Sequence, residues 1–204
     1  MSGPPPATTV TLHAPVTTSP DPTTAAQTAS CPPPAPAWLA GKWHVTHSTL
    51  PMWRSKRNVS ITYTPLANTS PPKLDDLVEY QPLSGGDKLK SVRGVDAPVP
   101  AAAGWAWDWR GKGWLVVASS RWEVLGYGDE GEHGQGQERQ WAVTYFAKTL
   151  FTPAGLDVYS RHPEGLRPET LAGIRSALEG VEDEGVRKLA GGLFEVRMDG
   201  AGKD

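Results

Sequence analysis

From Trp43 onward the chain passes through about eight short runs of alternating apolar and polar residues, joined mostly by brief turns. Parallel strands need crossovers of about a dozen residues or more, usually helical, and no strand–helix–strand alternation interrupts these runs. The chain is therefore restricted to an antiparallel meander. A meander of this length removes its exposed edges by closing on itself. The predicted fold is all-β: an eight-stranded up-and-down antiparallel barrel, followed by one C-terminal amphipathic helix and preceded by a disordered N-terminal tail.

The runs carry period-2 patterns. Trp43, Val45 and His47 alternate with His44, Thr46 and Ser48, and "NVSITY" repeats the pattern with Val59, Ile61 and Tyr63. "LDDLVEYQPL" and "KLKSVRGV" read as the third and fourth strands around "SGGD". In "GWAWDWRGKGWLVVASSRWEVLGYGD", Trp105, Trp107 and Trp109 share one face. The turn in that stretch is either "RGKG" or, the preferred reading, a break near Ser119 to Arg121 with "RGKG" as a bulge or bend. "RQWAVTYFA" and "LDVYSR" complete the set, with a Gly/Glu-rich insertion, "GDEGEHGQGQE", before them. In "RPETLAGIRSALEGV", Leu171, Ile174, Leu178 and Val181 recur at helical steps, and Pro168 suits the first turn. "GLFEVRM" reads as a short final strand.

Residues 1–37 are rich in Pro, Thr, Ala and Ser and poor in large apolar side chains, a composition too weak to offset the entropy of ordering. They are expected to be a disordered tail, with the barrel and helix at 38–199 and a disordered end at 200–204. The first residues lack the basic start and apolar core of a secretory signal, and no apolar run is long enough to span a membrane. The lone cysteine, Cys31, lies in the tail, which suits a reducing compartment. A cytoplasmic protein is expected. The net charge of −2 and the scattered basic residues argue against nucleic acid as a partner. Nine tryptophans against three phenylalanines imply a core or cavity wall built of indoles.

The start of the first run, Gly41-Lys42-Trp43, resembles the Gly-x-Trp that opens the first strand of lipocalins, of the calycin superfamily. "LAGKWHVTHSTLPMW" with "KRNVSITYTPL" resembles the first two strands of that family and their loop. "RWEVLGYGD" and "RQWAVTYFA" resemble its sixth and seventh strands, and "LDVYSRHPE" its last, ending in the family's arginine at Arg161. The usual cysteines and an intact Thr-Asp-Tyr are missing, so the chain is similar to a divergent, intracellular type. The resemblance implies structural roles for Gly41, Trp43 and Arg161: the glycine lets the chain cross the barrel base, and Trp43 plugs it beneath the arginine.

The resemblance also implies binding of a small hydrophobic ligand. Residues expected on inner faces, and so ligand-binding, are His47, Tyr63, Tyr80, Trp107, Trp122, Trp141 and Tyr145. One residue of slippage would turn any of these strands inside out. Asp75 and Asp76 point to opposite faces and are read as solvated. The histidines lack metal-ligand spacing, and no phosphate-binding or dinucleotide motif is present, so neither metal nor cofactor is expected. A carrier or sequestering protein is the leading functional reading. An isomerase or cyclase acting in the same cavity is the alternative, since fungal cyclases of natural-product pathways resemble this architecture. An indole-filled barrel acting as an interaction module is a third. Acid/base groups inside the barrel would favour the enzyme, a uniformly apolar lining the carrier. The sequence leaves the oligomeric state open.

Overall fold

A computed structural model describes residues 10–17, 31–84, 86–130 and 139–199. After a short helix α1 (Pro36–Leu39), eight strands follow in order: β1 (Gly41–Ser48), β2 (Lys56–Pro65), β3 (Leu74–Pro82), β4 (Lys90–Pro98), β5 (Ala106–Gly111), β6 (Ser119–Asp129), β7 (Gln140–Phe146) and β8 (Gly155–Ser160). Each pairs antiparallel with the next, and β1 pairs with both β2 and β8, which closes the barrel. Helix α2 (Pro168–Gly180), helix α3 (Glu184–Ala190) and the two-residue strand β9 (Phe194–Glu195), which pairs with β1, complete the fold.

Two bodies of apolar side chains result. Inside the barrel lie Trp43, Val45, Val59, Ile61, Tyr63, Leu74, Trp107, Trp122, Val124, Ala142 and Tyr159. Outside it, Leu125, Trp141, Val143, Leu156 and Val158 from β6, β7 and β8 meet Ile174 and Leu178 of α2 and Val186 of α3. The helical periodicity of 168–181 thus serves to cover the outer wall. The sequence reading had one helix here; α3 is a second, capped by the Asp183 side chain, which accepts the Val186 N–H at 2.8 Å.

The connection between β5 and β6 differs from the preferred expectation. Ser119 to Arg121 belongs to β6, where Arg121 pairs with Asp108, and the chain reverses through 112–118 instead. Gly111 permits this, because a Cβ there would lie 2.3 Å from the Leu115 carbonyl oxygen. The apolar run Leu115-Val116-Val117, strand-like in sequence, forms the turn.

Within the stretch expected to be a tail, residues 10–17 lie along the outside of β6. The His13 N–H bonds to the Leu125 carbonyl at 2.9 Å. Leu12 sits where Gly126 has no side chain; a Cβ there would lie 2.5 Å from Leu12. The buried Glu123 carboxylate accepts the Val16 N–H at 2.7 Å and bonds to the Thr17 hydroxyl. The expected disordered end at 200–204 and most of the Gly/Glu-rich insertion fall outside the described residues.

Candidate functional site

The base of the barrel is closed by contacts that begin at Gly41, whose φ of +97° suits glycine. A Cβ there would lie 3.0 Å from the Arg161 guanidinium. That group sits 3.7 Å from the Trp43 ring centroid and donates to the carbonyls of Trp38, Ala40 and Lys42 at 2.6, 2.7 and 3.0 Å. The Trp43 indole donates to the Leu39 carbonyl at 2.8 Å. Burial lowers the Arg161 pKa to about 10, and its terminal nitrogens donate to main-chain oxygens while the buried Nε has no partner.

Above this base, the strand registers decide which side chains face inward. Trp43 pairs with Ile61, Ile61 with Val78, and Tyr63 with Asp76. Asp76 pairs with Gly94 and Leu74 with Asp96, which puts Asp76 and Asp96 on one face of neighbouring strands. Asp96 pairs with Trp109, Trp107 with Trp122, Val124 with Thr144, and Thr144 with Asp157. The interior therefore receives Asp76, Asp96 and Asp157, all buried, together with Tyr63 and Tyr159.

Four of the seven expected ligand-binding residues, Tyr63, Tyr80, Trp107 and Trp122, are on the inner side. Tyr63 stacks on Trp122 at 5.4 Å and 17°, and Trp122 on Trp107 at 6.2 Å and 18°. Tyr80 lies 6.2 Å from Trp53. The other three, His47, Trp141 and Tyr145, face outward, and each has a physical reason. A bulge between Val45 and His47 resets the alternation of β1, so that Ser48 turns inward and His47 pairs with the outward Val158. Burial, then the nearby Arg175, lowers the His47 pKa. In β7 the inward set is Ala142, Thr144 and Phe146. Because helix α2 covers the outer wall, Trp141 is buried there as thoroughly as an inner residue would be.

The carboxyls are the functional candidates that sequence reasoning missed. Asp157 accepts the Ser48 hydroxyl at 2.5 Å and the Trp53 indole N–H at 3.2 Å. Its burial raises the pKa to about 7 in spite of these bonds. Asp96 accepts the Trp122 indole N–H at 2.8 Å through Oδ1, and its Oδ2 has no partner. It too is raised to about 7, by burial. Asp76, read from sequence as solvated, is buried and raised well above the carboxylate range, first by desolvation and then by Asp96, with the Trp109 indole opposing. Its Oδ1 is unpartnered. Gly94, across the ladder from Asp76, makes room for that indole, because a Cβ would lie 2.1 Å from the Trp109 Nε1. Only Asp75 keeps its expected place outside, paired with Lys112.

Tyr63 and Tyr159 are held neutral by burial. The Tyr159 hydroxyl, near Tyr63 and Thr144, makes no hydrogen bond of full geometry, and the Trp107 indole N–H is likewise unpartnered. The interior thus combines a stack of aromatic rings with proton donors and acceptors whose hydrogen-bonding capacity is unspent. Such a surface can hold a flat molecule and exchange protons with its oxygen or nitrogen atoms. Alternation in β3 carried the signal for one member, since Asp76 falls in phase with Leu74, Val78 and Tyr80. No group of metal-ligating side chains occurs among the described residues, and no helix among them is long and apolar enough to cross a membrane.

No family model matches the chain. It is 26% identical over 171 residues to botcinic acid biosynthesis cluster B protein 12 of Botryotinia fuckeliana (strain B05.10), covering 81% of this chain and 75% of that protein. Among solved structures it is similar to insecticyanin from the tobacco hornworm Manduca sexta, with a TM-score of 0.57 at 12% identity over 81% of each chain. Lobster apocrustacyanin A1 gives a TM-score of 0.53 at 13% identity, covering 98% of this chain and 95% of that one. The siderocalin Ex-FABP gives 0.53 at 13% identity, covering 81% and 97%. At such identities the likeness speaks for the fold, and the chain has the lipocalin, or calycin, fold.

Proposed function

We propose that this lipocalin-fold barrel binds a small, mainly hydrophobic metabolite and rearranges it, by isomerisation or cyclisation, using buried carboxyls to move protons. The observation that carries the reading is the buried pair Asp76 and Asp96 inside the barrel, each with an unpartnered oxygen, with a third buried carboxyl, Asp157, elsewhere on the inner face. Buried polar groups without partners cost stability, and a carrier of an apolar molecule gains nothing from them. Burial raises both Asp76 and Asp96, the latter to about 7, so that the pair can hold a proton at neutral pH, as acid and base chemistry requires. One carboxyl of the Asp76–Asp96 pair would donate a proton to the substrate while the other removes one, and their proximity lets the proton pass back. Tyr63, Tyr159 and the Trp107 N–H would bind oxygen atoms that gain charge along the way. The likeness to a botcinic acid biosynthesis cluster protein supports a biosynthetic small molecule as substrate.

A second reading, a carrier, is favoured by the Tyr63–Trp122–Trp107 stack, which would hold a conjugated molecule without chemistry. The siderocalin Ex-FABP, which functions through dual ligand specificities, is a structural neighbour with a ligand-centred role.

Native mass spectrometry of the purified chain, with extraction and identification of any bound molecule, separates the two. The ligand, or its unrearranged precursor, is then incubated with the wild type and with Asp76→Asn. Conversion by the wild type that falls by about a hundredfold or more in the variant, with binding retained, is the expected result. A ligand bound one per chain and released unchanged by the wild type would leave the carrier. If nothing binds and no aromatic compound quenches the tryptophan emission, the interior is purely structural.

A further inference from the structure

In an up-and-down meander alternate connections lie at the same end of the barrel. The connections 49–55, 83–89, 112–118 and 147–154 share the end opposite the Trp43 plug. Among the described residues, every exposed large apolar side chain is on these four: Met52, Leu83, Leu89, Trp114, Val116, Val117, Leu150 and Phe151. The most prominent are held out by built turns. Trp114 and Val117, each 86% exposed, lie in and just after a 3-10 turn, Gly113–Leu115, that Arg110 ties down by donating to the Val116 carbonyl at 3.1 Å. Leu150 and Phe151, 95% and 88% exposed, top a turn in which the Thr149 hydroxyl oxygen accepts the N–H groups of Phe151 and Thr152 at 3.1 and 3.0 Å.

The same connections carry Arg54, Lys88 and Lys148, and Lys112 paired with Asp75, against a single acid of their own, Asp87, which is itself paired with Arg57. Lys56 and Lys90 stand at their edges. Exposed apolar side chains gathered at one end of a molecule, rimmed by polar groups, mark an interaction surface. Apolar side chains ringed by cations match an anionic bilayer face, which takes the apolar tips into its acyl boundary and the cations at its headgroups. We propose that this end of the barrel docks on an anionic lipid surface, through Trp114, Val117, Leu150 and Phe151. The barrel would then lie on the membrane without spanning it. Met52 adjoins Trp53, whose indole holds Asp157, so docking would bring the Asp157 end of the interior next to a source of hydrophobic molecules. The proposal does not depend on which chemistry the interior performs.

The full chain would be sedimented with vesicles of phosphatidylcholine, with and without phosphatidylserine, at low and high salt. The comparison is the double variant Trp114→Glu, Phe151→Glu, whose exposed positions leave the core intact, with unchanged melting as the control. The expected result is binding to phosphatidylserine vesicles that falls about tenfold or more in high salt and in the variant. Equal partition of the wild type and a normally folded variant, or no preference for phosphatidylserine, would overturn the proposal. So would concentration-dependent self-association abolished by the same substitutions without vesicle binding, which would make the rim an interface between copies.

Discussion

Replacing Asp157 with asparagine tests whether the interior carboxyls are protonated in the folded protein. The carboxyl is fully buried, and its pKa rises from 3.8 to about 7 through desolvation, opposed by the Ser48 and Trp53 hydrogen bonds. A raised pKa means that the native state keeps a proton the unfolded chain releases. Stability from this group is full below about pH 4, where both states are protonated, falls as pH rises toward 7, and stays flat above. At 1.36 kcal/mol per pKa unit, the three-unit rise amounts to about 4 kcal/mol lost across that window. Asparagine does not titrate. Its carbonyl still accepts the Ser48 hydroxyl, while its NH₂ faces the Trp53 indole N–H, a pH-independent cost of about 1 to 3 kcal/mol. The variant should be the less stable protein near pH 4 and the more stable one above about pH 7. Urea unfolding followed by tryptophan emission between about pH 4 and pH 9 gives the difference between the two curves, in which the titration of Asp76 and Asp96 largely cancels. Parallel curves would refute the reasoning, because they would mean that Asp157 titrates in the folded chain as it does in the unfolded one.

Truncating Trp43 to alanine removes the barrel plug, the indole bond to Leu39 and the ring beneath Arg161, and should cost about 3 to 5 kcal/mol. A variant that melts with the wild type would show that the base is held by other contacts. Glu123→Gln should loosen residues 10–17 from β6 while leaving the barrel closed, since a charge-assisted pair of bonds is worth about 1.5 to 3 kcal/mol. Hydrogen exchange at the Val16 and Thr17 amides should quicken, with β6 and β7 unaffected. Retained protection at those amides would mean that Leu12 and His13 alone anchor the segment.

The barrel was legible in the sequence because closure follows from local information. Period-2 runs with short connections admit few arrangements, and the resemblance to lipocalins implied Gly41, Trp43 and Arg161 as its base. The amphipathic helix was legible for the same reason, as Ile174 and Leu178 recur on one face whatever they pack against. Orientation within single strands was less so. The alternation that sorts inside from outside assumes a solvated outer face, and helices α2 and α3 make the outer face of β7 and β8 apolar too. Nothing in "QWAVTYFA" then distinguishes Trp141 from Ala142. The bulge in β1 had the same effect on His47: one extra residue, invisible to a pattern count, sent it to the outer wall.

The chain's own sequence determined the meander, the indole-rich interior and the helix that follows, because each depends on residues near one another in the chain or on a repeated period, while the plugged base was implied by the resemblance to lipocalins. The tertiary structure alone decided that Asp76 and Asp96 meet inside near Tyr63, and that Asp157 and Tyr159 turn inward from a strand far away in sequence. Closure removes these groups from water, and burial, which no single strand can specify, turns ordinary carboxylates into groups that hold protons near neutral pH.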